Sequence, residues 1–137
     1  MSFTLETIQQ ARARIAPYIL QTPLLRLPAL DPYLGCQVYV KAECMQITGA
    51  FKLRGAMNKM LSLPREQLER GVAAASSGNH GRALSYAAKM LGVRATIIMP
   101  DTAPPVKLDA IRELGAEIVQ CAPQDRYATA DRVCAEQ

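Results

Sequence analysis

From residue 50 onward the chain alternates helical segments with short, nearly continuous apolar runs, and this alternation restricts its folds more than any other feature. The segments fall at 52–63, 72–75, 79–91, 95–99, 104–114 and 117–121, joined by linkers of a few residues. A β-α-β-α-β order of this kind predicts an α/β fold, an open parallel sheet with right-handed crossovers and helices on both faces. Pro104 and Pro105 suit the first turn of a helix, and Gly92 and Gly115 suit positions just past helix ends. Ligands on such sheets sit outside the carboxyl ends of the strands.

The first 49 residues follow a different pattern. Thr4 is a helix cap with Glu6 in the first turn, and Leu5, Ile8, Ala11 or Arg12, and Ile15 fall near one helical face until Pro17 ends the helix. Pro23, Pro28, Pro32 and Gly35 make 22–35 irregular, with a short strand and a helical turn. Residues 37–43 alternate with period two and predict a half-buried strand. The final segment, 125–137, reads as a helix that meets the chain end without Gly, Pro or a further strand, an ending that looks cut. There is no internal repeat or low-complexity tract, so the change of pattern near Gly49 is the one candidate boundary.

Composition excludes several classes. With 137 residues, half of them apolar and a fifth charged, disorder and collagen-like repetition are ruled out, and one core closes without staples. Apolar runs such as 95–100 fall far short of the ~20 residues that cross a bilayer, and the polar start MSFTLETIQQ is unlike a signal peptide. The expectation is a cytoplasmic protein with no membrane partner. The net charge of +4 comes from scattered basic residues without interleaved aromatics, which argues against a nucleic-acid partner. Cys36, Cys44, Cys121 and Cys134 form no C-x-x-C pair and have one histidine for company, so they read as reduced packing thiols and no metal site is expected.

Two loops carry the candidate chemistry. In TGAFKLRGA, Lys52 opens a helix just after a glycine-containing turn, where the positive end of the helix dipole and partial desolvation would favour the neutral amine that a Schiff base requires. The plainer alternative is a solvated Lys52 beside a core Phe51. In SSGNHG, which lies between a strand of small residues and a helix, small side chains let backbone N–H groups approach a carboxylate or phosphate at the helix N-terminus. The plainer alternative there is a Ser or Asn cap in a tight turn, with His80 as a structural histidine. Gly78 and Gly81 alone do not make a dinucleotide fingerprint, and no P-loop is present.

Together, TGAFKLRGA and SSGNHGRALSYAAK resemble, in order and separation, the fold-type II pyridoxal-phosphate enzymes and, within them, the threonine/serine dehydratase (ammonia-lyase) and serine racemase branch. The likeness runs through QTPLLRL, KAECMQITGAFKLRGA, SSGNHG, ATIIMPDTAPPVKLDAIRELGAEIV and the DRYATADRV helix. It implies the small domain of the tryptophan synthase β-like fold, with pyridoxal 5'-phosphate as cofactor and an amino acid as substrate. Lys52 is implied to hold the cofactor as a Schiff base and to move the substrate Cα proton, Phe51 to pack near the pyridine ring, and Asn79 to hydrogen-bond the ring oxygen. Ser76, Ser77, Asn79 and His80 would hold the substrate carboxylate, with Arg126 at the place of an arginine that racemase-like members carry near it. Ser77 stands where those members place a second catalytic residue on the face opposite the lysine, whereas many dedicated threonine dehydratases have alanine. Ala50 replaces a serine that is common before the Phe-Lys pair.

The family's chains are more than twice as long, and no G-G-G-G-like phosphate cradle occurs here. The resemblance therefore assigns residues 1–49 to an incomplete segment of the large domain and 50–137 to the small α/β domain, making the chain a fragment. The expected activity is dehydration and deamination of L-threonine or L-serine type β-hydroxy amino acids to a 2-oxo acid and ammonia, with serine racemase activity left open by Ser77. The alternative is a truncated, catalytically incompetent module that folds and self-associates as a homo-oligomer through exposed apolar surface. A flavodoxin-like or nucleotide-binding module fits the alternation equally well but leaves TGAFKLRGA unexplained.

Overall fold

A computed structural model describes residues 3–136; Met1, Ser2 and Gln137, which belong to the polar start and the final helix expected above, lie outside them. Helix α1 (Leu5–Ile15) begins where the Thr4 side chain accepts the Thr7 N–H and the Thr7 hydroxyl oxygen accepts the Thr4 N–H, a reciprocal cap. Strand β1 (Leu24–Arg26) and a 3₁₀ turn lead into the single turn α2 (Asp31–Leu34), after which β2 (Tyr39–Lys41) pairs antiparallel with β1. Arg26 forms an ion pair with Asp31, and Asp31 also accepts the Val38 N–H at 3.0 Å, so the turn between the two strands is fixed by charge.

The second part is the expected α/β unit. Its elements are α3 (Lys52–Leu61), α4 (Arg65–Glu69), β3 (Val72–Ala75), α5 (Asn79–Leu91), β4 (Ala95–Pro100), α6 (Pro105–Arg112), β5 (Glu117–Cys121) and α7 (Arg126–Glu136). The three strands form a parallel sheet in the order β3-β4-β5, with Val72 opposite Ala95 and Thr96 opposite Glu117. Gly92 and Gly115 take left-handed backbone angles just after α5 and α6, a conformation that only glycine adopts without strain.

Residues 95–99 of β4 are all buried, which requires cover on both faces of the sheet. Helices α5 and α6 touch each other and β4 and β5, while α7 packs on β3 and β4 from the other side. Ile97 and Met99 join Leu84, Ala87, Leu108 and Ile111 in the main core, and Met57 and Met60 of α3 extend it. Burying each such side chain contributes about 1.5–3 kcal/mol. Helix α3 lies along α5 and also meets α1, so it links the two parts.

The helix read at the start of the chain is present though little of it is covered, and one expectation for the first part fails. Leu5 is 71% and Ile8 58% exposed, because α1 rests on α3 and of its apolar stripe only Ile15 is buried. The predicted half-buried strand shortens to Tyr39–Lys41, and all three residues are exposed because, among the described residues, no helix packs extensively on the two-stranded sheet. Helix α4 was not foreseen; it is a short turn between α3 and β3.

Candidate active site

The loop into α3 is shaped before the helix begins. Gly49 adopts φ 73° and donates its N–H to Gln46 O at 2.7 Å, turning the chain so that Phe51 caps α3 and Lys52 is its first residue. The first turn of α3 contains no acidic residue, so Lys52 and Arg54 both stand at the positive end of the helix. Lys52 is exposed, with Nζ 5.1 Å from the centroid of the Phe51 ring. Phe51 is itself 58% exposed, which removes the reading of it as a core residue and leaves a bare aromatic face beside the amine.

Strand β3 ends at Ala75, and the loop that follows folds onto itself. Ser76 Oγ accepts the Gly81 N–H at 2.9 Å and the Gly78 N–H at 3.4 Å. Ser76 is therefore the residue that closes the turn, and the cap position of α5 is Gly78, which offers no side chain to the helix N-terminus. Asn79, the first residue of α5, and His80 are exposed, while Ser77 is half-buried. Ser85, buried one turn further on, donates its hydroxyl to Gly81 O at 2.9 Å and anchors this turn to the helix interior.

The two helix starts lie side by side: a Cβ on Gly49 would meet Arg82 Nη1 at 4.0 Å. Phe51, Lys52 and His80 line one cleft of about 470 Å³ that runs along α3 to Val72, Ala73 and Ala74. Ser77, Gly78 and Asn79 line a smaller one of about 210 Å³ with Arg82 and Lys107. The expected residues are thus divided between two adjoining clefts at the carboxyl end of β3, with Ser76 between them as a structural clasp. Arg126 lines neither cleft; it is exposed at the start of α7, with its guanidinium 4.8 Å from the Tyr127 ring centroid.

A second set of residues supports the α3 loop and went unnoticed in the sequence. Arg54 donates from Nε to Glu43 Oε2 at 2.9 Å and from Nη2 to Glu43 Oε1 at 2.7 Å, and also reaches Thr22 Oγ1 at 3.2 Å. Thr22 donates its hydroxyl to Glu43 at 2.6 Å, and Lys41 donates to the Thr22 carbonyl. The Arg54 hydrogen bonds hold the Glu43 carboxyl below its ordinary range, with Thr22 and Lys41 adding to the effect and desolvation opposing it. Gln46, buried, accepts the Leu20 N–H and donates to the Leu20 carbonyl, both at 2.9 Å. Thr48 is buried with its hydroxyl unpartnered among the described residues. The available signal was the spacing of Glu43, Gln46 and Arg54 around Lys52, which periodicity does not register.

These groups suit the aldehyde end and ring of pyridoxal phosphate. Lys52 supplies an exposed primary amine, Phe51 an apolar wall, Asn79 an amide, and the uncapped start of α5 further N–H donors. The cleft beside Lys52 has the size of a small-ligand site.

Residues 15–137 match the family described as pyridoxal-phosphate dependent enzyme. Over 118 residues the chain is 46% identical to the serine racemase of Dictyostelium discoideum, covering 86% of this chain and 36% of that protein. It is 44% identical over 117 residues to the catabolic L-threonine dehydratase of Staphylococcus aureus (strain USA300), covering 85% and 34% respectively. The solved structure of maize serine racemase superposes with a TM-score of 0.91 at 37% identity, over 99% of this chain and 42% of that one. The chain thus spans about two-fifths or less of the length of these relatives.

Proposed function

The chain belongs to the pyridoxal-phosphate dependent enzymes, and from that premise we propose that it carries the lysine half of a site that dehydrates and deaminates L-threonine or L-serine type β-hydroxy amino acids, with racemisation of serine as a second outcome. The observation that carries the proposal is the adjacency of the two helix starts, with Phe51, Lys52 and His80 in one cleft and Ser77 and Asn79 in the next. The 40–48% identity to threonine dehydratases and serine racemases supports the choice of substrate class.

When bound, the cofactor supplies a sink for the electron pair left as the substrate Cα–H bond breaks. In this reading Lys52 Nζ anchors the cofactor and moves the Cα proton, a role that requires its amine neutral at that moment. Phe51 covers the pyridine ring, and Asn79 donates its amide to the ring oxygen. Ser76 Oγ already accepts two backbone N–H groups, which leaves its own O–H proton to donate to the substrate carboxylate. Ser77 and the N–H groups at the start of α5 complete that anion site, and His80 forms its rim. Arg126, exposed at the start of α7 and outside both clefts, is carried to the same carboxylate by the family resemblance alone. Departure of the β-hydroxyl as water, followed by hydrolysis, gives the 2-oxo acid and ammonia; return of a proton from Ser77 on the opposite face inverts Cα instead.

The same reading assigns residues 1–49 to the start of a larger domain and 50–137 to the small α/β domain. The exposed Leu24, Leu25, Tyr39 and Val40 of the two-stranded sheet support it, since such a sheet is marginal alone. A second reading, favoured by the exposure of Lys52 and Phe51, is that the 137 residues alone form a folded module without turnover, open to self-association. Incubating the chain with pyridoxal phosphate and L-serine or L-threonine, and measuring 2-oxo acid and D-serine beside a Lys52→Ala control, decides between them. Lys52-dependent product supports the enzyme. Product equal in both would contradict it, and cofactor binding at Lys52 without product supports the module.

A further inference from the structure

We propose that Arg54, held by Glu43, is a positioning residue that fixes the helix turn from which the Lys52 amine projects beside the Phe51 ring; the inference deepens the reading of Lys52 as the cofactor's anchor and rests on it. Arg54 lies in the first turn of α3, where a cation opposes the helix dipole and no acid on the helix offsets it. Its compensation comes from outside the helix. The planar guanidinium engages both Glu43 oxygens and reaches back to the Thr22 hydroxyl. Glu43 is one-sixth exposed and Arg54 less than one-third, so this is a half-buried pair with directional bonds rather than a solvated surface contact.

The segment that Arg54 grips is itself immobilised. Gln46 holds both the N–H and the carbonyl of Leu20, and Thr22 bonds to the same Glu43 oxygen as Arg54. Arg54 also reaches the Leu20 carbonyl at 3.5 Å and the Gln46 N–H donates to Glu43 O at 3.2 Å, so Leu20, Thr22, Glu43, Gln46 and Arg54 form a closed ring of hydrogen bonds beside the start of α3. Beside this ring Lys52 is one residue from Leu53, which is fully buried, and two from Arg54. Its side chain has no hydrogen-bond acceptor among the described residues; its one recorded contact is the Phe51 ring. The place from which the Lys52 side chain projects is therefore set by the backbone of the first turn, and Arg54 is the side chain that ties this turn to the 20–22 segment.

The test uses the full chain with its lysines reductively methylated with ¹³C-formaldehyde, followed by NMR at neutral pH. The Lys52 methyl signal, assigned by its loss in Lys52→Arg, is expected upfield of those of the other lysines because it lies over the Phe51 ring. In Arg54→Ala and Glu43→Gln it should move toward them. Arg54→Lys keeps the charge but loses the two-pronged contact, and should behave like Arg54→Ala. An unchanged Lys52 signal in Arg54→Ala and Glu43→Gln overturns the proposal, and a wild-type signal in Arg54→Lys does so as well, since charge alone would then suffice. A thermal melt of each variant confirms that the fold is present when the signal is read. The readout needs no cofactor, so a wild-type chain whose Lys52 rejects pyridoxal phosphate would defeat the proposed function and leave the positioning result to stand or fall separately.

Discussion

Gly81 lies so close to Ser76 that a Cβ there would meet the Ser76 carbonyl oxygen at 2.8 Å, while its N–H donates to the Ser76 hydroxyl at 2.9 Å. The same Cβ would press on Ile97 Cγ2 at 3.1 Å, so the loop after β3 is sandwiched between α5 and the central strand with no room for a methyl group. Gly81→Ala should destabilise the chain by about 1–3 kcal/mol, measured by urea unfolding, because the atoms it meets include backbone. A variant as stable as the wild type would show that the loop is looser than this contact implies.

Met57 is fully buried on α3 within the main core. Met57→Ala should cost about 2–5 kcal/mol in the same measurement, through lost burial and the cavity left behind. A loss below ~1 kcal/mol would mean that Met57 does not join the main core as described.

The parallel sheet was legible because its signals are local and repeated. Strands 72–75 and 117–121 and helix 79–91 have the bounds read from the sequence, and Gly92 and Gly115 stop the helices with left-handed angles. Periodicity placed α1 and misled at β2, since an apolar stripe announces a buried face only where something packs on it, and Leu5, Ile8 and Val40 remain exposed. The Lys52 and Asn79 loops were legible as motifs. The ring of Thr22, Glu43, Gln46 and Arg54 was not, because its members are brought together by the turn into α3 and share no period.

Glu43 gives the chain an acid-sensitive contact. Its folded pKa is depressed by Arg54 and Thr22, so the pair's contribution is present above the unfolded value of 4.5 and is lost as pH falls through the lower folded value. Urea midpoints measured across the acid range should fall below about pH 4.5 in the wild type and less steeply in Glu43→Gln, which starts lower at neutral pH. Parallel pH profiles in the two proteins would remove Glu43 from the account.

Ser77 separates the two proposed outcomes. If it returns a proton to the face opposite Lys52, Ser77→Ala should lower D-serine formation by roughly a hundredfold and leave elimination within a few-fold. Equal losses in both reactions would make Ser77 a carboxylate-holding residue instead.

The central claim is that Lys52 is the cofactor's anchor, and the direct measurement is titration of the chain with pyridoxal phosphate, borohydride trapping and mapping of the modified lysine. A saturable visible band with the adduct on Lys52, absent in Lys52→Ala, is the predicted result. Labelling spread over Lys41, Lys59, Lys89 and Lys107 and unchanged in Lys52→Ala would contradict it.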